Sequence, residues 1–170
     1  MSDNSPTNVS LRRYRADDAD RLTALLNDPD VTGMTSTIPF PYARSDAEAF
    51  LSKVSAEQGR EVSRAIIFGD DTLVGGIGLG PRQLGDNELG YWIGKAHWGH
   101  GIATEAVRQF IALLTKLKVN GPLEAQTVAS NLASQRVLEK NGFQFKGEGE
   151  CLTPARSTNK VPSKLYLLER

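Results

Sequence analysis

Tyr91-Trp92-Ile93-Gly94-Lys95-Ala96-His97-Trp98-Gly99-His100-Gly101-Ile102-Ala103-Thr104-Glu105-Ala106 joins a strand-like run to the start of an apolar-striped helix through a glycine-rich turn. At such a junction the first helical N–H groups lack carbonyl partners and the positive end of the helix dipole is exposed, so the place suits an anion, above all a phosphate or pyrophosphate. A Cβ at position 99 or 101 would hold a diphosphate away from those donors, and Ala103 is small for the same reason. A glycine pair alone also serves as a tight strand-to-helix turn with no ligand. Two other phosphate motifs fail on spacing. Ile102 and Ala103 follow Gly101 where a P-loop needs Lys and then Ser or Thr. Thr104 stands where a dinucleotide fingerprint needs Gly or Ala, and Glu124 opens the following strand instead of ending it.

Working outward, Asn87 to Gly94 reads as a strand, preceded by a hairpin of Ser63 to Phe68 and Thr72 to Leu79 around Gly69-Asp70-Asp71. Gly76, Gly78 and Gly80 mark a bulge or close packing within that hairpin. Downstream, Ala103, Ala106, Val107, Phe110, Ile111, Leu114 and Leu117 form one helical stripe, stopped by Asn120-Gly121-Pro122. Then come a strand at Leu123 to Val128, a helix at Asn131 to Lys140 closed by Asn141-Gly142, and strands at Phe143 to Gly147 and Leu165 to Leu168. Toward the N-terminus, residues 1–8 are small and polar, an expected disordered tail, and Val9 to Arg13 alternates as an edge strand does. A helix opening at Ala16-Asp17-Asp18 carries Leu22, Leu25 and Leu26 and stops around Asp28-Pro29. Val31 to Arg44 has no period and reads as a long connecting loop; Ser45 or Asp46 then caps a helix with Ala49, Phe50 and Val54 that ends by Gln58-Gly59. Strands alternating with helices in the second half imply a mixed sheet with a parallel pair at its centre, hence an α/β (α+β) domain over residues 9–170.

Composition narrows the function. A chain of 170 residues with 39% apolar and 24% charged residues has the makeup of one ordinary globular domain. Twenty Lys and Arg balance twenty Asp and Glu, so no basic excess marks a nucleic-acid binder, and any phosphate must be held locally. The longest apolar run, Phe110 to Leu114, is far too short to span a bilayer. Cys151 is the single cysteine and the first residues carry no secretory pattern, so a reducing cytoplasm is the expected compartment.

At this point the chain resembles the GNAT superfamily of acyl-CoA-dependent N-acetyltransferases, whose signature is Gln or Arg, two residues, Gly, one residue, then Gly or Ala. The matching residues are Trp98, Gly101 and Ala103. Trp98 departs from Gln or Arg. With Gly90-Tyr91-Trp92-Ile93-Gly94 before it and Ala103-Thr104-Glu105-Ala106 after it, the segment is similar to the ribosomal-protein alanine N-acetyltransferase (RimJ/RimL-like) branch. Ile38-Pro39-Phe40-Pro41-Tyr42 with Ala47, Ala49 and Phe50, and the run Asn131 to Phe143, carry the same resemblance. It implies a GNAT fold, a mostly antiparallel mixed sheet splayed between the strand ending at Ile93 and that at Leu123 to Val128, with helices on both faces. It also implies acetyl-CoA in the gap. Its pantetheine would pair with backbone near Trp92, Ile93 and Gly94 and near Thr127 to Ala129, and with the Asn131 side chain. Its pyrophosphate would rest on the turn after Trp98, at Gly99, His100, Gly101, Ile102, Ala103 and Thr104. No metal is needed, because the thioester brings its own activation. The implied reaction is direct transfer of acetyl to a primary amine. A protein N-terminal α-amine, ribosomal by resemblance, is the first choice of acceptor, with a small-molecule amine or a non-catalytic acyl-CoA sensor as alternatives. Neither nucleic acid nor membrane is expected as a partner, and the assembly is a monomer or homodimer.

Each polar candidate has a plainer reading beside it. Many superfamily members protonate the leaving thiolate with a tyrosine at the place of Leu138; Ser134 is the branch's candidate for that role, or else caps its helix. Glu88 either relays a proton from the amine or is a solvated edge carboxylate, with Glu148 and Glu150 as weaker alternatives. Phe40 and Tyr42 either line an acceptor groove or pack on their own domain. His97 and His100 lack a third ligand at useful spacing, which argues against a metal, and Cys151 lacks a histidine partner, which argues against an acyl-enzyme.

Overall fold

The computed structural model describes residues 6, 8–56, 61–85 and 87–170. β1 (Val9–Arg12), β2 (Val62–Phe68), β3 (Thr72–Gly80) and β4 (Glu88–Ile93) lie side by side in chain order, all antiparallel. β5 (Leu123–Val128) joins β4 in parallel, and the hairpin of β6 (Gln144–Thr153) and β7 (Ser157–Leu168) attaches to β5 through β7, giving the order β1-β2-β3-β4-β5-β7-β6. The parallel ladder contains only Glu88 opposite Glu124 and Leu89 opposite Ala125. Beyond it β4 stays with β3 as far as Ile93 opposite Gly75, while β5 stays with β7 as far as Val128 opposite Ser163, so the sheet opens into a wedge.

Which backbone faces that wedge follows from strand alternation. The carbonyl of Asn87 accepts from Glu124 N–H at 3.0 Å, toward β5, whereas Gly94 N–H donates to Val74 at 2.8 Å, toward β3. Odd-numbered β4 residues therefore turn their backbone groups to the gap. Tyr91 and Ile93 do so; Trp92 and Gly94 face β3.

Helices cover both faces. α1 (Ala19–Leu26), α2 (Pro29–Thr32) and α3 (Arg44–Ser55) bury Leu22, Leu26, Val31, Ala47 and Leu51 against Ala65 and Ile67 of β2. α4 (Ile102–Lys116) and α5 (Leu132–Lys140) bury Ala106, Val107, Phe110, Leu114 and Leu138 against Ile66, Ile77, Leu89 and Leu123. Each large side chain fully buried there contributes about 1.5–3 kcal/mol. A bidentate pair from Arg12 to Asp18, both bonds 2.8 Å, ties β1 to the start of the α1 face.

Four expectations from the sequence change. The aperiodic stretch is shorter than Val31 to Arg44, because Asp28 caps one helical turn over Pro29–Thr32 by accepting from Asp30 N–H at 2.9 Å, with Pro29 preset for the first position. α3 starts at Arg44 rather than Ser45 or Asp46; Asp46 reaches back to Ala43 N–H at 2.8 Å, and the helix ends at Ser55. Leu117 is 46% exposed and Val119 takes its place in the core. β6 and β7 extend well beyond Phe143 to Gly147 and Leu165 to Leu168, since ladder bonds carry the hairpin through glycines, charged residues and Pro162 that break the apolar pattern. Gln58-Gly59, and all of the expected tail except Pro6 and Asn8, lie outside the described residues; Asn8 accepts from Gly69 N–H at 3.0 Å.

Candidate active site

The turn at the mouth of the wedge is built from two left-handed glycines, Gly99 at φ 77° and Gly101 at φ 74°. Both conformations strain any residue with a Cβ. Gly101 caps α4, and Glu105 N–H is the donor that returns to its carbonyl at 3.1 Å, so the N–H groups of Ile102, Ala103 and Thr104 have no intrahelical acceptor. A Cβ on Gly99 would meet nothing within 4 Å and one on Gly101 would meet only Pro6, so the backbone here is bare. These features fit a diphosphate. The Trp98 indole donates to Ile93 C=O at 2.7 Å and so takes one of the carbonyls turned to the wedge. Trp98, His100 and Gly99 are exposed, Ile102 is buried, and Ala103 and Thr104 are half-buried.

A cavity of about 1000 Å³ runs from this turn through the wedge to the α1–α3 side. Trp92, Ile93, Asn131, Ser134, Glu88 and Tyr42 line it, together with Trp98 through Thr104. Gly94 and Phe40 do not; Phe40 is 39% exposed, whereas Tyr42 is buried. Asn131 caps α5 by accepting from Ser134 N–H at 3.1 Å, which leaves its amide hydrogens for a ligand. Capping is thus done by Asn131, and the Ser134 hydroxyl instead meets Tyr91: their oxygens are 2.7 Å apart, and Tyr91 O–H also reaches the Ser134 carbonyl at 3.1 Å. Burial raises the Tyr91 pKa, so the phenol stays protonated and remains a donor at any working pH.

Glu88 is only 2% exposed, which rules out the solvated edge carboxylate. Its Oε2 accepts from Leu84 N–H at 2.7 Å, and burial pushes its pKa above the ordinary glutamate value despite that bond and the nearby Arg82. Glu148 and Glu150 are exposed on β6, outside the cavity lining. Cys151 is buried and free, its thiol pushed up by burial and by Glu88, the opposite of what a nucleophilic thiolate needs. Among the described residues no three His, Cys, Asp or Glu side chains form a metal-binding group.

Tyr91 and Arg82 also line the cavity, and the sequence alone does not single out either. Tyr91 lies on β4, 43 positions before Ser134, and nothing local in the sequence connects the two. For Arg82 the available signal is the glycine at 78, read from the sequence as part of a bulge or close packing, and that at 90. Close packing does hold at Gly76, where a Cβ would stand 2.3 Å from the Tyr14 hydroxyl and 2.7 Å from Trp92 Nε1.

A sheet opened between parallel strands, with a diphosphate-fitting helix start at its mouth and a buried carboxyl and paired hydroxyls inside, fits an acyl-CoA-dependent transferase. The chain belongs to the GNAT family: the acetyltransferase (GNAT) domain matches residues 8–144. It is 31% identical over 144 residues to an uncharacterized N-acetyltransferase, p20, of Bacillus licheniformis, covering 82% of this chain and 80% of that one. The ribosomal-protein-serine acetyltransferase of Escherichia coli is 29% identical over 110 residues, 62% of this chain and 58% of its own. The spermidine N-acetyltransferase of Vibrio cholerae, solved with CoA and spermine, shares the fold at TM-score 0.78 and 14% identity, over 96% of each chain. The protein is an N-acetyltransferase and acetyl-CoA is its acetyl donor.

Proposed function

We propose that the acceptor is the α-amine of a protein N-terminus, of ribosomal type, and that acetyl passes to it directly from the thioester. The observation that carries this reading is the placement of Glu88 and the Ser134–Tyr91 pair in one cavity, joined through the wedge to the bare backbone of Gly99 to Thr104. In this account the N–H groups of Ile102 to Thr104 hold the pyrophosphate, and the backbone of Tyr91 and Ile93 with the Asn131 amide holds the pantetheine arm. Glu88 takes a proton from the ammonium, directly or through water, so that the neutral amine attacks the thioester carbonyl. With the single Tyr91 hydrogen given to Ser134 Oγ, the nearer of the two acceptors in its reach, the Ser134 hydrogen is free to turn toward the departing sulfur. The hydroxyl pair stabilises that sulfur as it gains charge and passes it a proton. Arg136 and Lys140 of α5 line the same cavity and supply positive charge for the phosphates. The raised thiol pKa of Cys151 supports direct attack over an acyl-enzyme. A ribosomal acceptor puts the reaction in the cytoplasm.

An acceptor panel tests the proposal. With acetyl-CoA, a peptide bearing a free N-terminal alanine or serine is expected to gain one acetyl group at its α-nitrogen, while the same peptide blocked at the N-terminus but carrying lysine gains none. Preferential acetylation of lysine or of spermidine would assign the acceptor to the other class.

A further inference from the structure

The sheet face under α1 and α3 carries no side chain at Gly78 of β3 or Gly90 of β4, and the Arg82 guanidinium occupies that space. A Cβ on Gly90 would stand 2.8 Å from Arg82 Nε, 2.9 Å from Cζ and 3.1 Å from Nη2; one on Gly78 would stand 3.5 Å from Nη2. Two glycines thus form the seat on which the guanidinium lies. Nη1 donates to the Glu88 carbonyl at 2.7 Å and, at 3.4 Å, reaches that of Gly78. Nε and Nη2 have no acceptor among the described residues, and Arg82 lines the same cavity as the Glu88 carboxyl. Burial lowers its pKa from the ordinary arginine value, Glu88 and Glu61 oppose that, and a guanidinium remains charged throughout the working pH range. A half-buried cation lining a cavity, with two donor groups that meet no acceptor among the described residues and a buried carboxyl beside it, suits an oxygen acceptor from outside the protein.

We propose that Arg82 is an acceptor-binding residue: Nε and Nη2 donate to the oxygen beside the reacting amine, while Glu88 faces the nitrogen. The substrate class is then an α-amine with an adjacent carbonyl or carboxylate, as in a peptide N-terminus or an amino acid. A polyamine supplies no such oxygen and adds positive charge beside the guanidinium. The inference rests on the acetyl-transfer reading and narrows it.

Steady-state kinetics of the full chain would use three acceptors: a hexapeptide with a free N-terminal alanine, L-alanine and spermidine. Arg82→Met is expected to raise KM for the better alanine acceptor about 10- to 100-fold, the worth of a hydrogen bond to a charged group. Its KM for acetyl-CoA should change less than about twofold, its kcat should fall by a smaller factor than the acceptor KM rises, because Arg82 also holds down the Glu88 pKa, and spermidine should show no such KM increase. Gly90→Ala keeps the arginine but pushes it off its seat, and is expected to reproduce the same KM pattern. Arg82→Gln, which keeps hydrogen-bond donors without the charge, should lie between. Hexapeptide preferred over alanine assigns the oxygen to a carbonyl, the reverse to a carboxylate, and either supports the proposal. Equal KM increases for spermidine and the alanine acceptors, or an increase for acetyl-CoA, would make Arg82 a structural brace and overturn it, as would wild-type preference for spermidine. No turnover with any acceptor would contradict the acetyl-transfer reading instead; calorimetry of hexapeptide binding to wild type and Arg82→Met would then still read the seat, equal affinities overturning it.

Discussion

Glu88 sits 2% exposed with Leu84 N–H donating to its carboxyl, and burial raises its pKa. A raised folded pKa favours folding only while the group is protonated, so its stability contribution is present below the unfolded value, near 4.3, and is lost as pH rises through the folded value. Glu88→Gln is therefore expected to raise the melting midpoint by about 2–4 °C at alkaline pH and to leave it unchanged in acid. The same variant should lose turnover with an α-amine by about tenfold near pH 7, since roughly a tenth of such an amine is already neutral there, and the loss should shrink as pH rises. Thermal melts and pH–rate profiles check both; a melting midpoint lowered at alkaline pH, or a large pH-independent loss, would make Glu88 a positioning group. Ser134 and Tyr91 form a second unit. Ser134→Ala and Tyr91→Phe should each lower kcat more than they raise KM for acetyl-CoA, and the double variant should be little worse than Ser134→Ala, because the phenol acts through the serine. Additive losses would separate them. Ser134 was legible from motif resemblance, but its partner was not: the two lie 43 positions apart, and only the fold brings them together.

At the scale of elements, strand-turn-helix around Gly99 and Gly101 was legible because a local conformational demand leaves a local residue signature. β6 was half missed for the converse reason. It is an edge strand whose Lys146, Glu148 and Glu150 are exposed, so its membership is fixed by ladder bonds to β7 and not by an apolar alternation. The wedge follows from how far each ladder runs: β4 and β5 share two residue pairs and then each keeps its outer partner. The glycine-turned start of α4 carries its own prediction. Gly101→Asp places a carboxylate on the turn proposed to hold the pyrophosphate, and the strain of a left-handed aspartate is modest, so the fold should survive with a melting midpoint a few degrees lower. Acetyl-CoA affinity by calorimetry should fall at least about 100-fold. Unchanged affinity in the folded variant would remove the diphosphate from this turn.

For the molecule as a whole, zero formal net charge coexists with a polyanionic acetyl donor, so the proposed site relies on local attraction, at the α4 start and the α5 cations that line the cavity. A cavity crosses the sheet through the gap between its central strands, with the bare backbone of Gly99 and Gly101 at one end and Glu88 and Arg82 among its lining residues. Acetyl donor and amine are thereby expected to meet inside one opening, with no acyl carried on the protein. The most direct test is intact-mass spectrometry of the enzyme and of an alanine-starting peptide during single turnover with acetyl-CoA. The account predicts that the peptide gains the mass of one acetyl group as one CoA thiol is released, and that enzyme mixed with acetyl-CoA alone gains no mass. An acetylated enzyme that forms before the peptide product and hands its acetyl on, or no transfer to any amine, would contradict it.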